Sequence, residues 1–105
     1  MDNDVYRIRD EVRRAVETGK PELGAVARAL GMSTRTVQRR LRVEGTSFHG
    51  VVANVREELA RNYLTNHTLT LVQVSVLLGF SEASAFTRAF KRWTGSPPSR
   101  WRATP

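Results

Sequence analysis

Apolar residues recur along this chain at steps of three and four, the spacing of a helix with one buried face. Val5, Ile8, Val12 and Val16 mark a first helix over about 4–18, behind a candidate cap at Asn3 or Asp4 and closed by Gly19 and Pro21. Leu23, Val26, Ala27 and Leu30 mark a second over 22–30, ending at Gly31. Ser33 is placed to cap a third helix that runs to about 43 and stops at Gly45. Ser47 is the candidate cap of the longest helix, in which Phe48, Val51, Val52, Val55, Leu59 and Tyr63 keep register to about 66. NHTLT then breaks the pattern. Leu71, Val74, Leu77 and Leu78 define a short helix stopping at Gly79, and Ser81 or Glu82 begins another with Phe86, Ala89, Phe90 and Trp93 inward, ended by Gly95 and Pro97-Pro98. VQVSVLL is rich in β-branched residues, but its length and flanks match the second helix better than a strand. The expectation is an all-α fold of about seven helices.

An internal repeat organises them. Leu23, Val26, Ala27, Leu30, Gly31 and Ser33 return 48 positions later as Leu71, Val74, Ser75, Leu78, Gly79 and Ser81. Past the turn the offset is 49, pairing Val37 with Phe86, Gln38 with Thr87, Arg39 with Arg88, Leu41 with Phe90 and Arg42 with Lys91. One extra residue has entered the second copy. Two helices joined by a short turn containing Gly make a helix-turn-helix shape, so the chain reads as two such subdomains, 4–46 and 67–105, joined by a long linker helix over 47–66.

At 105 residues and 40% hydrophobic content the chain can bury one modest core or two very small ones, which favours one compact domain. No apolar run approaches the roughly 18 residues of a membrane span, and the N-terminus lacks the apolar region of a signal peptide. A soluble protein of the cytoplasm is expected. Without cysteine, thiolate metal sites and cysteine nucleophiles are excluded, and His49 and His67 have no neighbouring acidic pair. Both histidines read as surface or capping residues, so no metal, cofactor or enzymatic chemistry is expected.

Net charge is +7 with a pI near 11.2, and its distribution says more than its total. Residues 23–43 hold Arg28, Arg35, Arg39, Arg40 and Arg42 and no acid; residues 83–105 hold Arg88, Lys91, Arg92, Arg100 and Arg102 and no acid. The remainder is net negative. At about 100° per residue, Val37 and Leu41 define the inner side of the third helix, and Arg35, Arg39 and Arg42 lie opposite, within about 60° of one another. Gln38 borders them, while Arg40 falls nearer the core edge, where its stem can lie along apolar surface. In the second copy Phe86 and Phe90 face in, and Ser84, Thr87, Arg88 and Lys91 face out. A solvated surface would gain from mixed Glu/Lys pairs, whereas these arginines repel one another unless an anion lies between them. Arg and Gln are also the side chains whose planar donors pair with guanine and adenine edges in the major groove. The expected ligand is double-stranded DNA, since a reader of RNA or single strands would display aromatics on a sheet. A linker helix of about 18 residues spans roughly 27 Å, approaching the ~34 Å between successive major grooves.

With these features in place, the chain resembles the DNA-binding domain of the AraC/XylS family of bacterial transcription regulators over about residues 5–102. LLGFSEASAFTRAFKRWTGSPPSRWR fits the family pattern at Gly79, Phe80, Ser84, Phe86, Arg88, Phe90, Lys91, Gly95, Pro98 and Arg102, and Arg56, Ala60 and Leu64 fit its R-x(3)-A-x(3)-L linker spacing. The resemblance implies one AraC-type domain over 1–105 that binds promoter or operator DNA in successive major grooves. It implies base contacts from Arg35, Thr36, Gln38 and Arg39 on the first recognition helix and from Ala83, Ser84, Thr87 and Arg88 on the second. Small residues at 83 and 84 depart from readers with longer side chains there. Ser33, Thr34, Arg40, Arg42, Ser81, Lys91 and Arg92 are the candidates for phosphate. Members of the family carry a separate sensing and dimerisation domain, so the chain is expected to be either the excised C-terminal domain of a longer regulator or a stand-alone one, with RNA polymerase as a further expected partner and the nucleoid as the expected place. Competing readings are the DNA-binding part of a recombinase, which would need an acidic metal triad or a nucleophile, and a protein-binding helical adaptor, which leaves the two acid-free blocks without a purpose.

Overall fold

A computed structural model describes residues 4–103. It contains α1 (Asp4–Thr18), α2 (Leu23–Ala29), α3 (Thr34–Val43), α4 (Phe48–Leu64), α5 (Leu71–Leu77), α6 (Ala83–Thr94) and α7 (Pro98–Ala103), with no strand among the described residues. The all-helical expectation holds, including the β-branched segment, which forms α5. Asn3 lies outside the described residues; Asp4 stands in the first turn of α1.

Two compact units divide the chain between Arg56 and Glu57, inside α4. In the first unit α1 packs on α2 and α3, and α2 on α3. Its core is almost wholly β-branched and aliphatic: Ile8, Val12, Val16, Val26, Val37 and Leu41 are each at most 2% exposed. Ser33 sets where α3 begins, its Oγ accepting the Thr36 N–H at 3.1 Å. Ser47 does the same for α4, accepting the Gly50 N–H at 3.0 Å.

The second unit buries Leu59, Ala60, Leu64, Val74, Leu78, Phe86, Ala89 and Phe90. Aromatic rings fill it: Phe90 meets Phe86, Trp93 and Trp101 edge-on at centroid distances of 5.8, 6.3 and 5.7 Å. Thr70 and Gln73 start α5 with a reciprocal capping box, each side chain bonding the other's backbone N–H. Leu77, expected on the inner stripe of this helix, is 40% exposed. The inward set is Val74, Ser75 and Leu78, and Leu77 lies about 100° round from Leu78, toward solvent. Ser75 fits inside because its hydroxyl donates to the Val72 carbonyl at 2.7 Å, leaving no unpaired donor.

α4 ends at Leu64, two residues earlier than its apolar register suggests, because Asn66 folds the chain over: its Oδ1 accepts from the Thr68 N–H at 3.1 Å and the Thr68 hydroxyl at 2.7 Å. The freed carbonyls are held by Arg102. Its Nε donates to Leu64 O at 3.0 Å, Nη1 to Leu69 O at 2.7 Å and Nη2 to Asn66 O at 3.4 Å.

Candidate nucleic-acid interface

Both units present the same turn, between α2 and α3 in the first and between α5 and α6 in the second. The Met32 N–H donates to Ala27 O at 2.9 Å and the Phe80 N–H to Ser75 O at 3.0 Å, with the preceding glycines, Gly31 and Gly79, at φ 68° and 83°. A left-handed residue there is what this helix-ending motif requires, and glycine adopts it without steric cost. The two turns then diverge. The residue capping α3 is Ser33, whereas the residue at the same place before α6 is Glu82, not Ser81. The extra residue of the second copy therefore lies between Gly79 and Glu82.

On α3 the side chains at 33 and 36 hold each other, the Ser33 hydroxyl donating to Thr36 Oγ1 at 2.9 Å while accepting the Thr36 amide. Thr34, Arg35, Gln38, Arg39 and Arg42 are exposed along the rest of the outer face. Arg40 behaves differently: it is half-buried and ion-paired with Asp4 of α1.

On α6, Glu82 makes no capping bond; its Oε2 instead accepts the Ser84 hydroxyl at 3.3 Å. Ser81 thus stands beside a carboxylate, which disfavours a phosphate at that point. The Thr87 hydroxyl donates to Ala83 O at 3.1 Å, so toward an outside ligand its oxygen is left as an acceptor. Arg88, Lys91 and Arg92 are exposed and line an open recess of about 390 Å³. Ala83 is half-buried at the head of the helix.

The partners of the arginines separate them into groups. Arg7, Arg14 and Arg61, which lie outside the two acid-free blocks, pair with Asp4, Glu11 and Glu57 at 3.3, 3.2 and 2.8 Å. Arg102 is taken up by backbone carbonyls. Arg56, on α4, is half-buried, and burial lowers its pKa from the ordinary value. By contrast, among the described residues Arg35, Arg39 and Arg42 on α3, and Arg88, Lys91 and Arg92 on α6, have no acidic partner. α3 and α6 therefore each carry three unmatched cations on their outer side. Sequence reasoning found these six but could not see that Arg40 and Arg102 are engaged elsewhere, since their partners lie more than 30 residues away along the chain.

No described helix is long and apolar enough to cross a membrane, and the described residues contain no cluster of His, Cys, Asp and Glu able to hold a metal.

A helical scaffold that twice sets a basic helix behind a glycine turn is that of a DNA-binding helix-turn-helix domain, and comparison with known proteins agrees. A family model described as a helix-turn-helix domain matches residues 26–104. The ornithine utilization regulator of Pseudomonas aeruginosa is 44% identical over 85 residues, which are 81% of this chain and 25% of that protein. The HTH-type transcriptional regulator VirS of Mycobacterium tuberculosis is 43% identical over 91 residues, 87% of this chain and 27% of that protein. Among solved structures, the DNA-binding domain of the global transcriptional factor AdpA, in complex with a target DNA, superposes with a TM-score of 0.74 at 26% identity, covering 92% of this chain and 90% of that one. The chain belongs to the AraC/XylS family of helix-turn-helix transcription regulators and forms their DNA-binding domain. It spans about a quarter of the length of the curated relatives it matches.

Proposed function

We propose that this domain binds operator DNA sequence-specifically, laying α3 and α6 in successive major grooves and so regulating bacterial transcription. The observation that carries the reading is the contrast just described: Arg7, Arg14, Arg40, Arg61 and Arg102 are matched by acids or carbonyls, while three cations on each of α3 and α6 face out unmatched. Such a face is costly to hold together unless an anion neutralises it, and phosphates along a duplex do so.

On α3, Arg35, Gln38 and Arg39 read base edges, with Thr36 beside them and Thr34 and Arg42 on the flanking phosphates. On α6, Arg88 is the long reader; Ser84, Thr87 and the Ala83 methyl make short contacts, and Lys91 and Arg92 grip phosphate. Ser33 and Ser81 complete the phosphate set, Ser81 the weaker because of Glu82. The first unit would then carry most of the sequence information and the second more of the affinity. On this reading the chain is a binding module with no catalytic step, the 1–105 domain being two subdomains joined through α4. It works in the cytoplasm, on the nucleoid, with RNA polymerase as a further partner, and effector sensing and dimerisation are assigned to a separate domain of a longer regulator.

Selection of bound fragments from random duplex DNA tests the reading. The expected result is a two-part site whose halves are separated by about one helical turn. Recovery of a single short site would show that one helix alone reads, and recovery of no preferred sequence would overturn sequence-specific binding.

A further inference from the structure

The ion pair between Asp4 and Arg40 joins the first turn of α1 to the recognition helix of the same unit, and the groove-facing arginines do not share it. Asp4 stands 3.3 Å from Arg7 Nη1 as well, and its side chain is 18% exposed; that of Arg40 is 40% exposed, within reach of an outside ligand. Around α3, Arg40 is about 100° from Arg39 and about 60° from buried Val37. It therefore occupies the margin of the outer face, where a helix seated in a groove meets the sugar–phosphate backbone rather than base edges.

We propose that Asp4 is an intramolecular substitute for a DNA phosphate: its carboxylate occupies the Arg40 guanidinium and withholds that cation from the duplex. Asp4 is thereby a residue that sets DNA affinity without touching DNA. The inference rests on the reading of α3 as a groove-binding helix. A carboxylate and a phosphate oxygen compete for the same planar donors, and a cation already matched by an acid brings no net counterion release when the duplex arrives. Of the arginines on α3, Arg35, Arg39 and Arg42 then supply the electrostatic attraction, and Arg40 supplies it only when Asp4 lets go.

The test is the salt dependence of binding to duplex DNA, measured by fluorescence anisotropy on the whole chain. Asp4→Asn should steepen the slope of log K against log salt by about 0.9 and tighten binding up to about eightfold at about 0.1 M salt, equally on selected and random DNA. Arg40→Gln alone should leave the slope at its wild-type value, and Asp4→Asn/Arg40→Gln should return it there. An unchanged slope in folded Asp4→Asn overturns the proposal, because the pair is then only structural. Retention of the steep slope in the double variant also overturns it, assigning the gain to Arg7 or another group. If Asp4→Asn fails to fold by circular dichroism, Asp4→Ser takes its place with the same expected and overturning slopes, and a slope flattened by about 0.9 in Arg40→Gln overturns the proposal because Arg40 then already grips phosphate. Arg42→Gln keeps the two readings apart, since it flattens the slope if α3 lies on DNA, whatever Asp4 does.

Discussion

Arg102 directs all three kinds of its guanidinium nitrogen at carbonyl oxygens of Leu64, Asn66 and Leu69, whereas Arg39 stands on the outer face of α3 with no acidic partner. The same side chain serves opposite ends because its planar fork matches a fixed set of acceptors, whether those belong to the protein or to a base. Removing it therefore has different consequences at the two places. Arg102→Ala removes the guanidinium donor from the Leu64 and Leu69 carbonyls, the Asn66 carbonyl keeping the Leu69 N–H, and should lower stability by roughly 2–3 kcal/mol, the scale for hydrogen bonds to a charged group. Its thermal melt should shift down by several degrees while the salt slope of DNA binding stays as it was. Arg102→Lys should recover little, since an ammonium cannot reach three acceptors in the plane of a fork. Arg39→Ala should leave the melt unchanged and weaken binding to the selected site by about 1–3 kcal/mol, relaxing preference at one base pair. Equal weakening on selected and random DNA would make Arg39 a phosphate contact.

At the scale of the element, α5 shows what a short helix needs. With only seven residues, α5 depends on its ends and on its packing against α6. Thr70→Ala removes one half of the capping box and should cost about 1 kcal/mol, read from urea denaturation as a lower midpoint with an unchanged m-value; a midpoint equal to wild type would show that packing alone fixes the start of the helix. Apolar spacing was enough to find all six longer or repeated helices, because Val12, Val37, Val74 and Phe86 sit on one face whatever the rest of the fold does. Spacing does not determine which flank of the Val74–Leu78 stripe is covered, so the pattern favours Leu77, whereas the structure buries Ser75 on the other flank and leaves Leu77 40% exposed. The repeat identifies α6 as the counterpart of α3. It could not fix the position of the extra residue, because Ser81 and Glu82 both suit a helix start, and only the backbone turn shows that Glu82 is the counterpart of Ser33. The engagement of Arg40 and Arg102 had no local signature, since an ion pair or carbonyl clamp across more than 30 residues depends on tertiary packing.

For the molecule as a whole, a net charge of +7 does not by itself define an interface, because exposed cations matched by neighbouring acids add nothing to the field a duplex meets. Arg14 and Arg92 separate total charge from contact. Arg14 is exposed and held by Glu11 at 3.2 Å, while Arg92 is exposed on α6 beside Arg88 and Lys91 with no acidic partner. Replacing either by alanine lowers the net charge of the chain by one. If binding answers only to total charge, the two variants should behave alike. If it answers to phosphates neutralised one by one, Arg92→Ala should flatten the slope of log K against log salt by about 0.9, and weaken selected and random DNA in the same ratio. Arg14→Ala should leave the slope at its wild-type value and uncover Glu11 without altering the recognition faces. Titrations of both variants between about 0.05 and 0.2 M salt distinguish these outcomes, since a difference of one phosphate contact changes affinity about three- to fourfold over that range. Equal flattening in the two would locate the attraction in the protein's overall field, and the assignment of Lys91 and Arg92 to phosphate would fall with it.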